Sequence, residues 1–227
     1  MFAFKLIAWT ILNSSIYILL LLLPAGTLHW WRAWVFIGVA FTVLTMMAVK
    51  ILARSEGLLE ERLKLPLQKG QPPADKILLP LCLVVWGGLI AFIPLDRFRL
   101  HMLGKPGPWV SWAGMLLVAI GWLVVYLSYR ENAFAASVVK HQEERQHAVI
   151  DTGVYRTIRH PMYAGGVLIW LGMALWLQSY AAAALMILPI ATIALRILAE
   201  ERFLQRELEG YDAYTMKVRY RLVPFLW

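Results

Sequence analysis

"GVYRTIRHPMYAGG", Gly153–Gly166, runs straight into "VLIWLGMALWLQSYAAAALMILPIATIAL", Val167–Leu195. The first stretch packs Arg156, Arg159, His160, Pro161 and two tyrosines, Tyr155 and Tyr163, into a few residues. The second holds no charged side chain at all. A transmembrane helix needs about 20 mostly apolar residues. The apolar block from Pro161 to Leu198 is too long for one span and suits two short ones, with "LQSY", Leu177–Tyr180, as the turn between them. The densest polar cluster of the chain therefore sits at the mouth of an apolar helical hairpin.

Outward from that hairpin, Leu6–Pro24, Ala33–Ala53, Ile77–Pro94 and Pro108–Tyr129 each read as a further span. The expectation is an all-α polytopic bundle of about six spans forming one domain over 1–227, with four N-terminal spans in 1–130 and a catalytic region in 131–227. Composition agrees: 60% of residues are hydrophobic, mean hydropathy is +0.63, and only 16% are charged, against about 25% in ordinary soluble domains. The first span does not read as a cleavable signal, because its apolar stretch is long and "PAGTLHW" offers no small-x-small cleavage site followed by a soluble domain. The lone cysteine, Cys82, gives no internal disulfide and no zinc or redox motif, and no metal site is expected.

The formal charge of +8 is read as lysine and arginine held at one membrane face, and no nucleic-acid partner is expected. With Lys5 and the N-terminus in the cytoplasm, the external loops hold only Arg32, Arg97, Arg99 and Lys105 of the 22 basic residues. Six spans then return the C-terminus to the cytoplasm. Trp30, Trp31, Trp34, Trp109 and Trp112 fall at span ends and read as an interfacial belt. Arg54–Lys76, closing on Pro72-Pro73, reads as an amphipathic interfacial helix followed by a loop, with a structural role. There is no glycine-rich phosphate loop, no GxSxG and no HExxH, which leaves nucleotide hydrolysis, serine hydrolysis and zinc proteolysis without a motif.

Pro161 suits the first turn of a helix, where its missing N–H costs nothing. Arg159 and His160 then lie just before a helix N-terminus, which favours an anion or carboxylate. Gly165-Gly166 allow close helix approach. At the far side of the hairpin "RILAEER" sets Arg196 and Glu200 four residues apart, on one helix face. The hairpin brings both back toward His160. Taken singly, Arg156 is a topological anchor, Glu200-Glu201 a solvated helix end and "KVRYR" a headgroup contact. Taken together, Tyr155, Arg159, His160, Pro161, Tyr163, Arg196 and Glu200 are ionisable or shape-bearing groups gathered at membrane depth, where such groups mark function.

"GVYRTIRHPMYAGG", the hairpin, "RILAEE" and "GYDAYTMKVRYRLVP" together resemble the isoprenylcysteine carboxyl methyltransferase family, over roughly Asn132–Pro224. The wider group includes phospholipid N-methyltransferases and, more distantly, the C-terminal part of sterol reductases. The resemblance implies an integral membrane methyltransferase using S-adenosylmethionine, held in a cytoplasmic pocket. It implies cofactor contacts from His147, Ala148, Val149 and Ile150, from Tyr155, from His160, Pro161, Met162 and Tyr163, and from Glu200 with Glu201 beside it. Gln142 or Lys140 takes the place of a family glutamine. Arg196, with Arg159, would face the methyl acceptor, and Arg196 and Glu200 would be the catalytic pair.

Methyl transfer from a sulfonium is a direct displacement that needs no metal. The protein's part is alignment and desolvation, with an arginine fork suited to an acceptor carboxylate. An amine acceptor would need a base, for which Glu200 or Glu201 stands ready. The expected acceptor is a lipophilic small molecule or lipidated group, such as an isoprenylcysteine-like or isoprenoid acid, entering from the membrane lipids. The expected home is a prokaryotic plasma (inner) membrane. Two other readings stay open: an NADPH-dependent reductase of the sterol-reductase kind, against which the short chain counts, and a non-catalytic scaffold.

Overall fold

The computed structural model describes residues 2–50, 64, 67–68, 70–135, 138–140 and 147–227. Among these, every regular element is helical. The long helices are α1 (Phe2–Ala25), α2 (Trp31–Lys50), α3 (Pro73–Leu95), α4 (Pro108–Glu131), α5 (Pro161–Trp176) and α7 (Ile187–Glu207). Short α6 (Tyr180–Ala184) precedes α7, and α8 (Tyr211–Lys217) follows it. A π turn, Asp96–Leu100, continues α3, and a 3-10 turn, Gly153–Arg156, precedes α5. Five stretches are apolar and long enough to cross a membrane. They are α1, α2, α3 with its π turn, α4, and α6 with α7.

The apolar block after Pro161 does not divide into two equally short spans. α5 has only 16 residues, about 24 Å at 1.5 Å per residue, whereas Tyr180–Glu207 runs for 28. Leu185 and Met186 keep right-handed backbone angles between α6 and α7. Pro189 falls in the first turn of α7, where it removes no helical hydrogen bond. The turn itself lies where it was expected: Gln178 adopts φ 68°, and Ser179 caps α6 by accepting from the Ala182 N–H at 2.9 Å.

Pro73 also departs from the sequence-based expectation. It opens α3 instead of closing a loop, and draws Asp75 into the first helical turn. The proposed interfacial helix falls largely on 51–63, outside the described residues, as does Gln142.

Successive long helices alternate in direction, so Asp75, Glu131, Pro161 and Glu200 share one end of the bundle. The opposite end is tied shut. Arg32 Nη1 donates to the Trp176 carbonyl at 3.0 Å, and Trp176 Nε1 donates back to the Arg32 carbonyl at 2.8 Å. The Arg32 guanidinium lies over the Trp31 and Trp176 rings. Buried Asp96 accepts from the Ser179 hydroxyl at 2.6 Å and from the Met102 N–H at 2.9 Å. Of the expected tryptophan belt, Trp31, Trp34, Trp109 and Trp112 are exposed. Trp30 is buried edge-on against Phe98, because the π turn folds back over it.

α4 and α5 make the most intimate helix pair. Gly121 faces Gly165 and Gly114 faces Gly172, and a Cβ added at Gly121 would lie 2.6 Å from the Gly165 carbonyl oxygen. Without a hydrophobic drive in lipid, helix association depends on such close backbone contact. Of the pair read from the sequence, Gly165 is in this seam, while Gly166 meets only the Trp170 ring. The seam fixes α5 against α4, and through it the position of the residues that follow Glu131.

Candidate functional site

At the end opposite the Asp96 knot, residues 132–135 and 138–140, the segment 147–150, the start of α5 and the end of α7 enclose a cleft. Its floor is the first turn of α5. Pro161 begins that helix, and His160 precedes it without capping it. Tyr163, one turn in, donates its hydroxyl to Glu200 Oε2 at 2.8 Å. Glu200 Oε1 takes no hydrogen bond among the described residues. The Arg196 guanidinium lies 5.7 Å from the centre of the Tyr163 ring, so one tyrosine carries both residues that the helix spacing put on one face.

His147, Ala148, Val149 and Ile150 form one wall of the cleft. The His147 ring packs on Phe134 at 4.7 Å between centroids. Tyr155 is buried; its hydroxyl accepts from Asn132 Nδ2 at 3.2 Å and its carbonyl from the Tyr214 hydroxyl at 2.8 Å. His160, Pro161 and Met162 line the floor. The structure therefore gathers these site candidates around one space. Lys140 lines it too, with Nζ on Gln68 Oε1 at 3.1 Å.

Three candidates sit elsewhere. Glu201 is turned away from the cleft and is the hub of a buried ion cluster. Arg159 grips it through Nε at 2.6 Å and Nη2 at 3.2 Å, while Arg221 Nε reaches its other side at 2.8 Å. His160 Nε2 stands 3.1 Å from it. Arg159 borders the cleft, but its remaining donor serves the Val218 and Arg219 carbonyls. Its backbone N–H, and that of His160, bond the Tyr220 and Arg221 carbonyls. These contacts tie the C-terminal tail to the start of α5. Arg196 lies beyond Tyr163 and gives Nε to Asp75 Oδ1 at 2.8 Å.

Asp75 is the residue that sequence reasoning missed. It is 1% exposed, and it joins three parts of the chain. Besides Arg196, it accepts from Gln71 Nε2 at 2.6 Å and from the Val139 N–H at 3.0 Å. One carboxylate thus ties the start of α3, the middle of α7 and the cleft-lining loop. The available signal was an acidic residue two positions after a proline at the foot of an apolar run. Leu204, Leu208, Tyr211 and Tyr214 complete the wall. Burial pushes the phenols of Tyr211 and Tyr214 well above the ordinary tyrosine range, with the Glu201 and Tyr155 sides adding to it respectively, so both stay protonated donors. Gly153, at φ 54° against the Glu131 side chain, lets the chain double back into the 3-10 turn below Tyr155.

Among the described residues no group of histidine, cysteine and acidic side chains could hold a metal ion. The cleft presents the Glu200 carboxylate, tyrosine hydroxyls, aromatic rings and apolar side chains.

The model of a family described as phospholipid methyltransferase matches residues 109–209. That range covers α4, the cleft loops and the α5–α7 hairpin. A "Probable protein-S-isoprenylcysteine O-methyltransferase" of Oryza sativa subsp. indica is 31% identical over 130 residues, 52% of this chain and 62% of that protein. A protein of the same description from Oryza sativa subsp. japonica matches to the same extent. The chain spans less than two thirds of the length of these curated relatives. Asp75 and its partner Gln71 lie outside the family match. The hairpin and most of the cleft lining fall inside the matched segment, so residues 109–209 are similar to the phospholipid methyltransferase family and 130 residues of the chain to the two rice proteins.

Proposed function

We propose that this protein is a membrane methyltransferase that moves a methyl group from S-adenosylmethionine to a lipophilic acceptor. The observation that carries the reading is the cleft floored by Tyr163 and Glu200 at the polar end of an apolar hairpin. The residues present fit the cofactor. Glu200 Oε1 is a ready acceptor for an amino group or ribose hydroxyls, and Phe134, Leu204 and Leu208 offer apolar surface to a purine. The rice relatives, described as probable O-methyltransferases, support the same class.

S-adenosylmethionine supplies an electrophilic methyl group on a sulfonium. What the chain supplies is position and dryness. Tyr163 holds one oxygen of Glu200 and leaves the other pointed at ligand. The His147–Ile150 wall and Tyr155 exclude water on one side, and the α5 floor closes the other. Arg196 stands behind Tyr163 at the depth where a lipid tail meets the polar edge, with its orientation set by Asp75. In this reading Arg196 and Glu200 are the catalytic pair, one toward the acceptor and one toward the cofactor. Arg159 and Glu201 serve differently, holding the tail against α5 and so keeping the floor rigid. Gln142 stays a candidate cofactor contact beside Lys140.

The favoured acceptor is a lipophilic carboxylate gripped by the Arg196 fork. The Asp75–Arg196 ion pair supports a second reading, an amine or phospholipid headgroup acceptor, because a carboxylate would meet a guanidinium already neutralised. The uneven spread of lysine and arginine supports a cytoplasmic cleft end.

Purified protein in lipid nanodiscs, given methyl-labelled S-adenosylmethionine and candidate lipids, tests the whole. Base-labile label in the lipid fraction marks a carboxyl ester, and base-stable label marks an N-methyl group. No transfer to any lipophilic acid or amine, with the cofactor bound, would contradict the reading.

A further inference from the structure

Behind Glu201, on the far side of Arg159 from the cofactor cleft, lies a second concavity between the end of α7 and the α8–tail segment. Arg159, Arg202, Arg219 and Arg221 border it, with Glu201 as the lone carboxylate. Arg159 is saturated by Glu201 and two carbonyls. Arg221 spends Nε on Glu201 and rests its guanidinium over the Trp227 ring, 5.4 Å from the centroid. The exposed guanidinium groups of Arg202 and Arg219 make no hydrogen bond or ion pair among the described residues. Gln205 and Thr215 add polar groups to the same walls. Three cations beyond the one that Glu201 balances thus converge on one hollow.

We infer that this hollow binds the phosphate of an anionic headgroup, with Arg202, Arg219 and the terminal nitrogens of Arg221 as its donors. Planar guanidinium forks match phosphate oxygens two at a time. The depth is right for a lipid. Leu198 lines the hollow where the membrane-crossing stretch of α7 gives way to charged residues. The adjoining tail exposes Phe225 and Leu226 at 88% and 79%, as side chains at a membrane interface do. The ligand would also touch the cofactor site through one residue, since Arg159 borders both spaces. Filling the hollow would relieve the repulsion among the arginines around Glu201 and stiffen the floor at His160. The site is distinct from the proposed acceptor position and stands whether or not methyl transfer does.

Thermal unfolding of the full chain in neutral detergent, titrated with phosphatidylglycerol, phosphatidylcholine or inorganic phosphate, tests this. Phosphatidylglycerol is expected to raise the melting temperature saturably, and phosphatidylcholine to do little. An equal rise with inorganic phosphate would support the site with a soluble phosphate as its occupant. The double variant R202A/R219A should need at least about tenfold more ligand for the same rise, since it loses two charge-assisted donors. Because both side chains are exposed and make no ion pair among the described residues, it should melt near the wild type when no lipid is added. The charge-matched control R156A/R206A removes two basic groups outside the hollow. Equal loss in both double variants, or no saturable rise with any phosphate source, would overturn the inference. The first result would leave only general attraction to a basic face.

Discussion

The two ends of the bundle both bury charge, and they use it in opposite ways. At the far end Ser179 donates to Asp96, and Arg32 and Trp176 bond each other in both directions. At the near end Glu201 is engaged by Arg159, His160 and Arg221, yet its neighbour Glu200, beside a cleft, has one oxygen that takes no hydrogen bond among the described residues. Buried charge alone therefore does not mark a site. A partly satisfied group beside a space does. Adjacent residues on one helix, Glu200 and Glu201, show the two outcomes side by side.

The strongest way to break the comparison is Glu201→Ala. Removing one partner of a buried ion cluster costs about 3–5 kcal/mol because uncompensated charges stay behind. The melting temperature should fall sharply, and S-adenosylmethionine affinity of the protein that remains folded should fall with it, since His160 loses its anchor. Ser179→Ala at the far end is next. It leaves Asp96 Oδ2 and the Ala182 N–H short of a partner, at about 1–3 kcal/mol. Here the melting temperature should drop with cofactor affinity unchanged. Loss of affinity would show that the far end is not a passive staple.

Asp75→Asn sharpens the comparison from inside the near end. The amide keeps the shape but cannot accept from Arg196, Gln71 and Val139 at once. We expect transfer efficiency to fall at least about tenfold, roughly 1.4 kcal/mol, with a smaller melting shift than Glu201→Ala. A melting loss without a loss of transfer would reduce Asp75 to a structural tie. Fusions of a topology reporter after Trp227 and near Lys105 should give opposite signals. Like signals would mean that the hairpin at Leu177–Tyr180 or one of the earlier spans is wrong.

The helical hairpin was legible because apolar length and turn residues are local properties, and so was the gathering of His160, Tyr163 and Glu200, which follows from helix spacing. Asp75 was not. Its meaning depends on contacts across the bundle with Arg196 and Val139, which no local pattern encodes. The division of labour between Glu200 and Glu201 was hidden for a related reason: helix rotation about α7 decides which one faces the cleft, and that rotation is set by the tail contacts of Arg159 and Arg221. The length of the second helix was not legible either: the apolar block was read to Leu198, whereas the helical stretch Tyr180–Glu207 runs for 28 residues.

Calorimetric titration of S-adenosylmethionine into purified wild type, Glu200→Gln and a melting-matched control tests the central claim most directly. The wild type should bind at one site. Glu200→Gln should bind at least about tenfold more weakly, as loss of a charged hydrogen-bond acceptor of about 1.5–3 kcal/mol requires. Its melting temperature should stay close to that of the wild type, because Tyr163 is the group that Glu200 engages and the amide oxygen can still accept from it. Absence of binding by the wild type, or equal affinity in Glu200→Gln, would contradict the assignment of this cleft to the cofactor.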